Sequence, residues 1–152
     1  EGLVTCRRDR RSRIYGLADP SVALALEHLF DLAERVSPAF AAADAAAGPD
    51  APVSVRVVRD DLRRRKAALV DIRDAHETAH SPIDGAIPMP LAEIRKRARS
   101  LARSRTYYVV CRGRACELAV QGVALLRAMG FRAYRLKESP ASLRAQAHSR
   151  VA

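Results

Sequence analysis

Hydrophobic and polar positions follow two rhythms along this chain, and the change between them divides it. From Leu3 to Leu17 the short apolar runs Leu3-Val4-Thr5-Cys6 and Arg13-Ile14-Tyr15 flank a polar turn, which predicts a β-hairpin. After Asp19-Pro20, a cap residue followed by a first-turn proline, apolar residues recur at Val22, Leu26, Leu29, Phe30, Ala33 and Val36. That spacing predicts an amphipathic helix over 20–36. Ser37-Pro38 stops it, and the alanine-rich stretch to Pro52, with Gly48 and Pro49, carries no core pattern and reads as a linker. Farther on, Val53 to Val58, Ala68 to Ile72 and Tyr107 to Val110 read as strands buried on both faces, with a last short strand at Ala133 to Leu136. Between them Leu91 to Arg103 and Cys116 to Met129 read as helices, the second stopped by Gly130-Phe131. Strands alternating with helices predict an α/β fold: a mainly parallel sheet with helices on both faces, preceded by the hairpin and the long helix. The expected division is 1–36, a linker over 37–52, and a domain over 53–152.

Composition changes this picture in two ways. With 27 basic and 17 acidic residues among 152, the net charge is +10, so a polyanion or a small anion is a more natural partner than a basic protein. Lysine occurs only at Lys66, Lys96 and Lys137; the charge is mostly arginine in an alanine-rich chain, and by itself establishes no nucleic-acid role. No apolar run approaches the roughly 20 residues of a membrane span, and no cleavable signal opens the chain, so the expectation is a cytoplasmic protein without membrane contact. Because it begins at Glu1, it reads as a fragment or processed product. Three cysteines, Cys6, Cys111 and Cys116, are too few for a disulfide framework and are left free for chemistry.

Cys111 carries the candidate chemistry. It follows the strand Tyr107 to Val110, and the loop Arg112-Gly113-Arg114-Ala115 leads into the helix that begins near Cys116. At such a junction ligands meet unpaired helix amides, and a thiol beside arginines is expected as a thiolate, the nucleophilic form. Gly113 lets successive amides converge on an anion, which Arg112 and Arg114 would attract. The plain alternative is a small apolar residue ending a buried strand. Cys116 reads first as a residue packing inward at the helix start; in a tightly curled loop it would instead meet Cys111 and resolve a persulfide or sulfenate there as a disulfide.

Leu69-Val70-Asp71-Ile72-Arg73, then Glu77, then Gly85-Ala86-Ile87-Pro88-Met89-Pro90-Leu91, together with Tyr107-Tyr108-Val109-Val110-Cys111-Arg112-Gly113, resemble the signatures of the rhodanese-like domains. The helix Glu117 to Met129 and Gly130 to Leu136 extend the likeness, which covers Val53 to Arg144. The resemblance implies that Cys111 bears a persulfide cradled by the amides of Arg112 to Cys116, with Asp71, Arg73 and Glu77 in support. It implies no cofactor and no metal. Cysteine phosphatases of related architecture place an arginine six positions after the cysteine; here that position is Glu117, so a phosphate would lack its bidentate clamp. The chain departs from the family pattern at Ser81-Pro82-Ile83-Asp84, at Glu138-Ser139-Pro140 and at Leu143.

Other signals carry less. His76-Glu77-Thr78-Ala79-His80 matches the His-Glu-x-x-His zinc pattern, but Asp74 and Ser81-Pro82 confine it to about two turns, and Glu77 can pair with Arg73 at helical spacing. The runs Arg63-Arg64-Arg65-Lys66 and Arg95 to Arg105 read as solvated helical faces. The hairpin and first helix resemble the wing and last helix of the arsenical-resistance-repressor (ArsR) family of winged-helix regulators. That resemblance implies DNA contact through Arg7, Arg8, Arg10, Arg11 and Arg13, and a homodimer through the helix 20–36. The combined expectation is a thiosulfate sulfurtransferase-like domain, with thiosulfate or a small persulfide as donor, attached to a regulator remnant. The alternative is a sulfur- or redox-sensing DNA-binding regulator with negligible turnover.

Overall fold

The computed structural model describes residues 2–46 and 50–148; Gly48 and Pro49 of the expected linker lie outside the described residues. The hairpin forms as predicted. Strand β1 (Val4–Asp9) pairs antiparallel with β2 (Ser12–Leu17) in a two-stranded sheet of its own, with Arg8 directly opposite Arg13. Helix α1 (Pro20–Val36) also has its predicted bounds, with the Asp19 side chain accepting the Ser21 N–H at 2.7 Å. Only part of its apolar stripe turns inward: Val22, Phe30 and Ala33 are half-buried, whereas Leu26, Leu29 and Val36 are 52%, 61% and 67% exposed.

Two expectations are corrected in the next segment. Most of the stretch read as linker is helix α2 (Pro38–Ala46), because alanine is the strongest helix former, proline suits the first turn, and Ser37 Oγ accepts the Phe40 N–H. Phe40 packs on Phe30 of α1 with ring centroids 6.2 Å apart. The valine run at 53–58 is mostly not a strand but the start of helix α3 (Val55–Arg63), capped by Ser54. Val55 and Val58 are buried while Val57 is 79% exposed, a helical rather than an alternating pattern. Only Val53 keeps a strand-like pairing, a parallel bridge to Leu136.

The remaining elements are β3 (Ala67–Asp71), α4 (Ala75–His80), β4 (Ile87–Pro88), α5 (Ile94–Arg97), β5 (Thr106–Val110), α6 (Glu117–Ala128), β6 (Arg132–Arg135) and α7 (Pro140–His148). The continuous helix predicted over 91–103 is instead a single α-helical turn, α5, between two 3-10 turns. The four strands are all parallel in the order β4-β3-β5-β6. Val70, Ile72, Tyr107 and Val109 meet Val123 and Leu126 of α6 on one face, while Leu69, Tyr108 and Val110 meet Val55 and Val58 of α3 on the other. A side chain at Gly122 would place its Cβ 2.9 Å from Ile72 Cδ1, so glycine there lets α6 lie close on the sheet. No helix among the described residues is long and apolar enough to cross a membrane.

This order places the site. From β3 the chain runs outward to β4 on one side, and from β5 outward to β6 on the other. Connections that diverge in this way open a crevice beyond the carboxyl ends of the two central strands. Asp71 and Cys111 stand at those ends.

Candidate functional site

The crevice is built on a buried ion pair. Asp71 and Arg73 are 1% and 4% exposed, and the guanidinium donates to both carboxylate oxygens, with Nη2 at 2.6 Å from Oδ2. The same Nη2 donates to the Ser81 carbonyl at 2.8 Å, which ties the segment after α4 to the sheet. Arg73 is therefore turned to Asp71 and Ser81, and the expected Glu77–Arg73 pair does not form. Glu77 instead accepts from Nε and Nη2 of Arg112, at 2.8 and 2.5 Å. The helical spacing was compatible with the first pairing, but burial of Asp71 beside Arg73 outweighs it.

Arg112, Gly113 and Arg114 of the loop 111–116 meet three different neighbours. Arg112 reaches α4 through Glu77. Gly113 has a φ of +113° and lies under Ser139, whose Cβ is 3.6 Å from where a side chain would start. Arg114 is buried, donates to Glu34 of α1 at 3.0 Å, and stacks over the Phe40 ring at 5.0 Å. The Arg114 carbonyl accepts from Arg135 at 3.3 Å, and Ala115 is exposed. The Cys116 N–H is spent on the Gly113 carbonyl at 3.1 Å. Two expectations change accordingly: Arg112 and Arg114 are each paired with a glutamate instead of converging on an anion, and the Cys116 amide is not part of a cradle.

The sulfurs themselves are the centre. Cys111 is 2% exposed and packs in the core cluster under α6, while Cys116, the N-cap residue of α6, is half-buried in front of it. Their Sγ atoms are 2.7 Å apart, about 0.7 Å beyond a disulfide bond. Burial pushes the Cys111 thiol up to about 12, the contact with Cys116 adds to this, and the Arg112 amide opposes it. For Cys116, burial is outweighed by the Cys111 thiol and by the nearby amides of Arg112, Ala119 and Leu118, which together hold it below the ordinary thiol value. The expectation of a resting thiolate on Cys111 is thus corrected: of the two, Cys116 ionises first. The inward-packing reading of Cys116 gives way to the curled loop.

Sequence reasoning missed three acids that hold α1 to the main body, one of which, Glu34, reaches this loop. Glu27, Asp31 and Glu34 recur at helical spacing on α1 and face the main body. Glu27 accepts the Ser139 N–H at 2.7 Å, Glu34 accepts from Lys137 Nζ at 2.8 Å, and Asp31 forms an ion pair with the same Nζ at 2.8 Å. The Lys137 and Arg114 cations hold the Glu34 carboxyl below the usual carboxylate range. Together with Glu138 these acids line a cavity of about 430 Å³ between α1 and the segments 54–56 and 137–142; Arg114 reaches it from the loop, and Cys111 is not in its lining. Glu138 is buried, accepts from Ser54 Oγ at 2.6 Å and from the Val55 N–H at 2.8 Å, and so caps α3. The i, i+4, i+7 spacing of acids was the available signal for the α1 stripe; nothing local marked Glu138.

Outlying residues separate clearly. Arg7, Arg8, Arg10, Arg11 and Arg13 are all exposed on the hairpin. His76 and His80 are exposed on the six-residue α4.

Residues 54–143 match the model of the rhodanese-like domain family. The chain is 34% identical over 149 residues to the HTH-type transcriptional regulator Rv0324 of Mycobacterium tuberculosis, covering 90% of this chain and 62% of that protein. The solution structure of the rhodanese-like domain of an Anabaena protein is 29% identical, with TM-score 0.52, over 62% of this chain and 74% of that one. A full-length Lactobacillus plantarum protein shares the fold at 24% identity and TM-score 0.56, over 62% of this chain and 82% of its own. With more than half its length matched by the family model, and a two-sided parallel sheet carrying the Cys111 loop, the chain belongs to the rhodanese-like domain family.

Proposed function

We propose that this chain takes a sulfane sulfur onto Cys111 from thiosulfate or a low-molecular-weight persulfide, in the sulfur-handling part of a transcriptional regulator. The observation that carries the reading is the pair of sulfurs 2.7 Å apart at the carboxyl end of β5. The Cys116 thiolate lies where it can accept the Cys111 proton as Cys111 attacks the donor's outer sulfur. A bond then forms between Cys111 Sγ and that sulfur, and the bond to the rest of the donor breaks, so thiosulfate leaves as sulfite and a persulfide as its thiol. Burial of Cys111 limits donors to small ones that enter past Cys116. Asp71 and Arg73 hold the floor of the crevice, and Glu77 holds the Arg112 side chain; their part is positional.

The test is donor consumption. Reduced chain is expected to release sulfite from thiosulfate, or to consume a small persulfide, and Cys111→Ser to lose at least 90% of this. No consumption by the unaltered chain, or undiminished consumption by the variant, overturns the proposal.

A second reading, regulation, is favoured by the contacts of α1. We propose that residues 1–36 are the wing and last helix of an ArsR-type winged-helix unit, that 37–52 join it to the rhodanese-like domain over 53–152, and that two chains meet along the exposed side of α1. The Arg114–Glu34 contact would relay the state of the loop to that helix. The Mycobacterium relative named as a transcriptional regulator supports this reading for the whole protein. Arg8 facing Arg13 on the hairpin is a like-charge pair that a DNA phosphate would relieve. Duplex DNA affinity measured before and after donor treatment is expected to differ; equal affinities at several salt concentrations defeat the sensing reading.

A further inference from the structure

We infer that the persulfide on Cys111 is not held for an external acceptor but is discharged within the loop: Cys116 displaces it as sulfide and closes a Cys111–Cys116 disulfide. The inference rests on the proposed sulfur uptake at Cys111 and deepens it by naming the fate of the sulfur. Two independent features carry it. The Sγ atoms are already 2.7 Å apart, so the inner sulfur of a Cys111 persulfide is the nearest electrophile to Cys116, and bond formation needs little backbone movement. In addition, Cys111 is 2% exposed whereas Cys116 is half-buried, so an outside thiol is screened from Cys111 by the very group that can react first.

The step balances without an added oxidant. Uptake leaves Cys111 as a persulfide anion and Cys116 as a thiol. Cys116 Sγ attacks Cys111 Sγ, the Sγ–Sγ bond forms, and the bond to the outer sulfur breaks. The outer sulfur leaves with that electron pair and the Cys116 proton as hydrosulfide. It gains two electrons, and the two cysteine sulfurs lose two in becoming a disulfide. One donor is therefore reduced per chain, and a dithiol reductant is required before the next. The neighbouring arginines do not compete for the leaving anion, because Arg112 and Arg114 are held by Glu77 and Glu34.

The experiment uses the full chain carrying Cys6→Ser, which removes the exposed third cysteine. Reduced protein is mixed anaerobically with a slight excess of thiosulfate, sulfite and sulfide are measured, and the chain is alkylated and weighed intact. The expected result is about one sulfide per sulfite, with both remaining cysteines closed to alkylation until a dithiol is added. Cys116→Ser, which also removes the acceptor of the Cys111 proton, is expected to release sulfite more slowly, to keep the extra sulfur on Cys111 and to give at least 90% less sulfide for each sulfite released. Sulfite release with the sulfur retained on Cys111 of the Cys116-containing chain overturns the inference and leaves sulfur uptake standing. Absence of sulfite release overturns uptake, and the inference with it.

Discussion

Two cysteines five positions apart behave as opposites because of where the loop sets them. Alkylation by iodoacetamide at graded pH should show this: Cys116, held below the ordinary value, should reach half its maximal rate at lower pH than a free thiol, whereas Cys111, raised by burial and by the facing sulfur, should be alkylated more slowly than Cys116 at every pH below the ordinary thiol value. Residue-scale stability divides along burial in the same way. Asp71→Ala strands the buried Arg73 guanidinium and should cost about 3–5 kcal/mol in chemical denaturation. Arg112→Ala breaks a pair whose arginine is half exposed, and should cost under about 1 kcal/mol. At this scale Cys111 and Asp71 were legible in the sequence as motif residues. The proton's location was not, because it depends on a sulfur–sulfur distance that spacing does not set.

Among the elements, the loop depends on one glycine. Gly113 has a φ of +113°, so Gly113→Ala should destabilise by about 1–3 kcal/mol and slow sulfite release even though Ser139 leaves room for a methyl group. Helix α1 is held to the body by carboxylates whose contribution has a definite sign. Glu34 has a lowered pKa, so its contacts with Lys137 and Arg114 are present at neutral pH and are lost as the pH falls through that lowered value. Hydrogen exchange along α1 should accelerate on acidification in the unaltered chain, and should already be raised at neutral pH in Glu34→Gln. The elements that the sequence predicted well are those whose pattern was strong and local: the hairpin, α1, β3, β5 and α6. Val53 to Val58 misled because β-branched residues suit strands, yet Ser54 and the Val55–Val58 spacing encoded a capped helix. Helix α2 was missed because alanine favours helix without marking a core face.

For the molecule as a whole, the charge of +10 is unevenly used. Loop arginines are neutralised by glutamates, whereas the hairpin arginines project from a sheet of their own. Duplex binding, if carried by the hairpin, should weaken steeply with salt, and Arg8→Ala with Arg13→Ala should reduce the logarithmic salt slope by about 2; an unchanged slope removes the hairpin from the DNA contact. The rhodanese-like body was readable from sequence because its signatures are contiguous. The attachment of α1 was not, since a helix normally buries its leucines and this one directs its acids toward the body.

That inverted attachment means the two parts of the chain answer to different solvents. Ions that screen the contacts of Glu27, Asp31 and Glu34 should let α1 peel away, while the apolar interior beneath the sheet, indifferent to or tightened by the same ions, stays folded. Ionic strength would thus act on this protein as a clutch, engaging or releasing the front segment and, through Arg114, tightening or loosening the sulfur-bearing loop behind it.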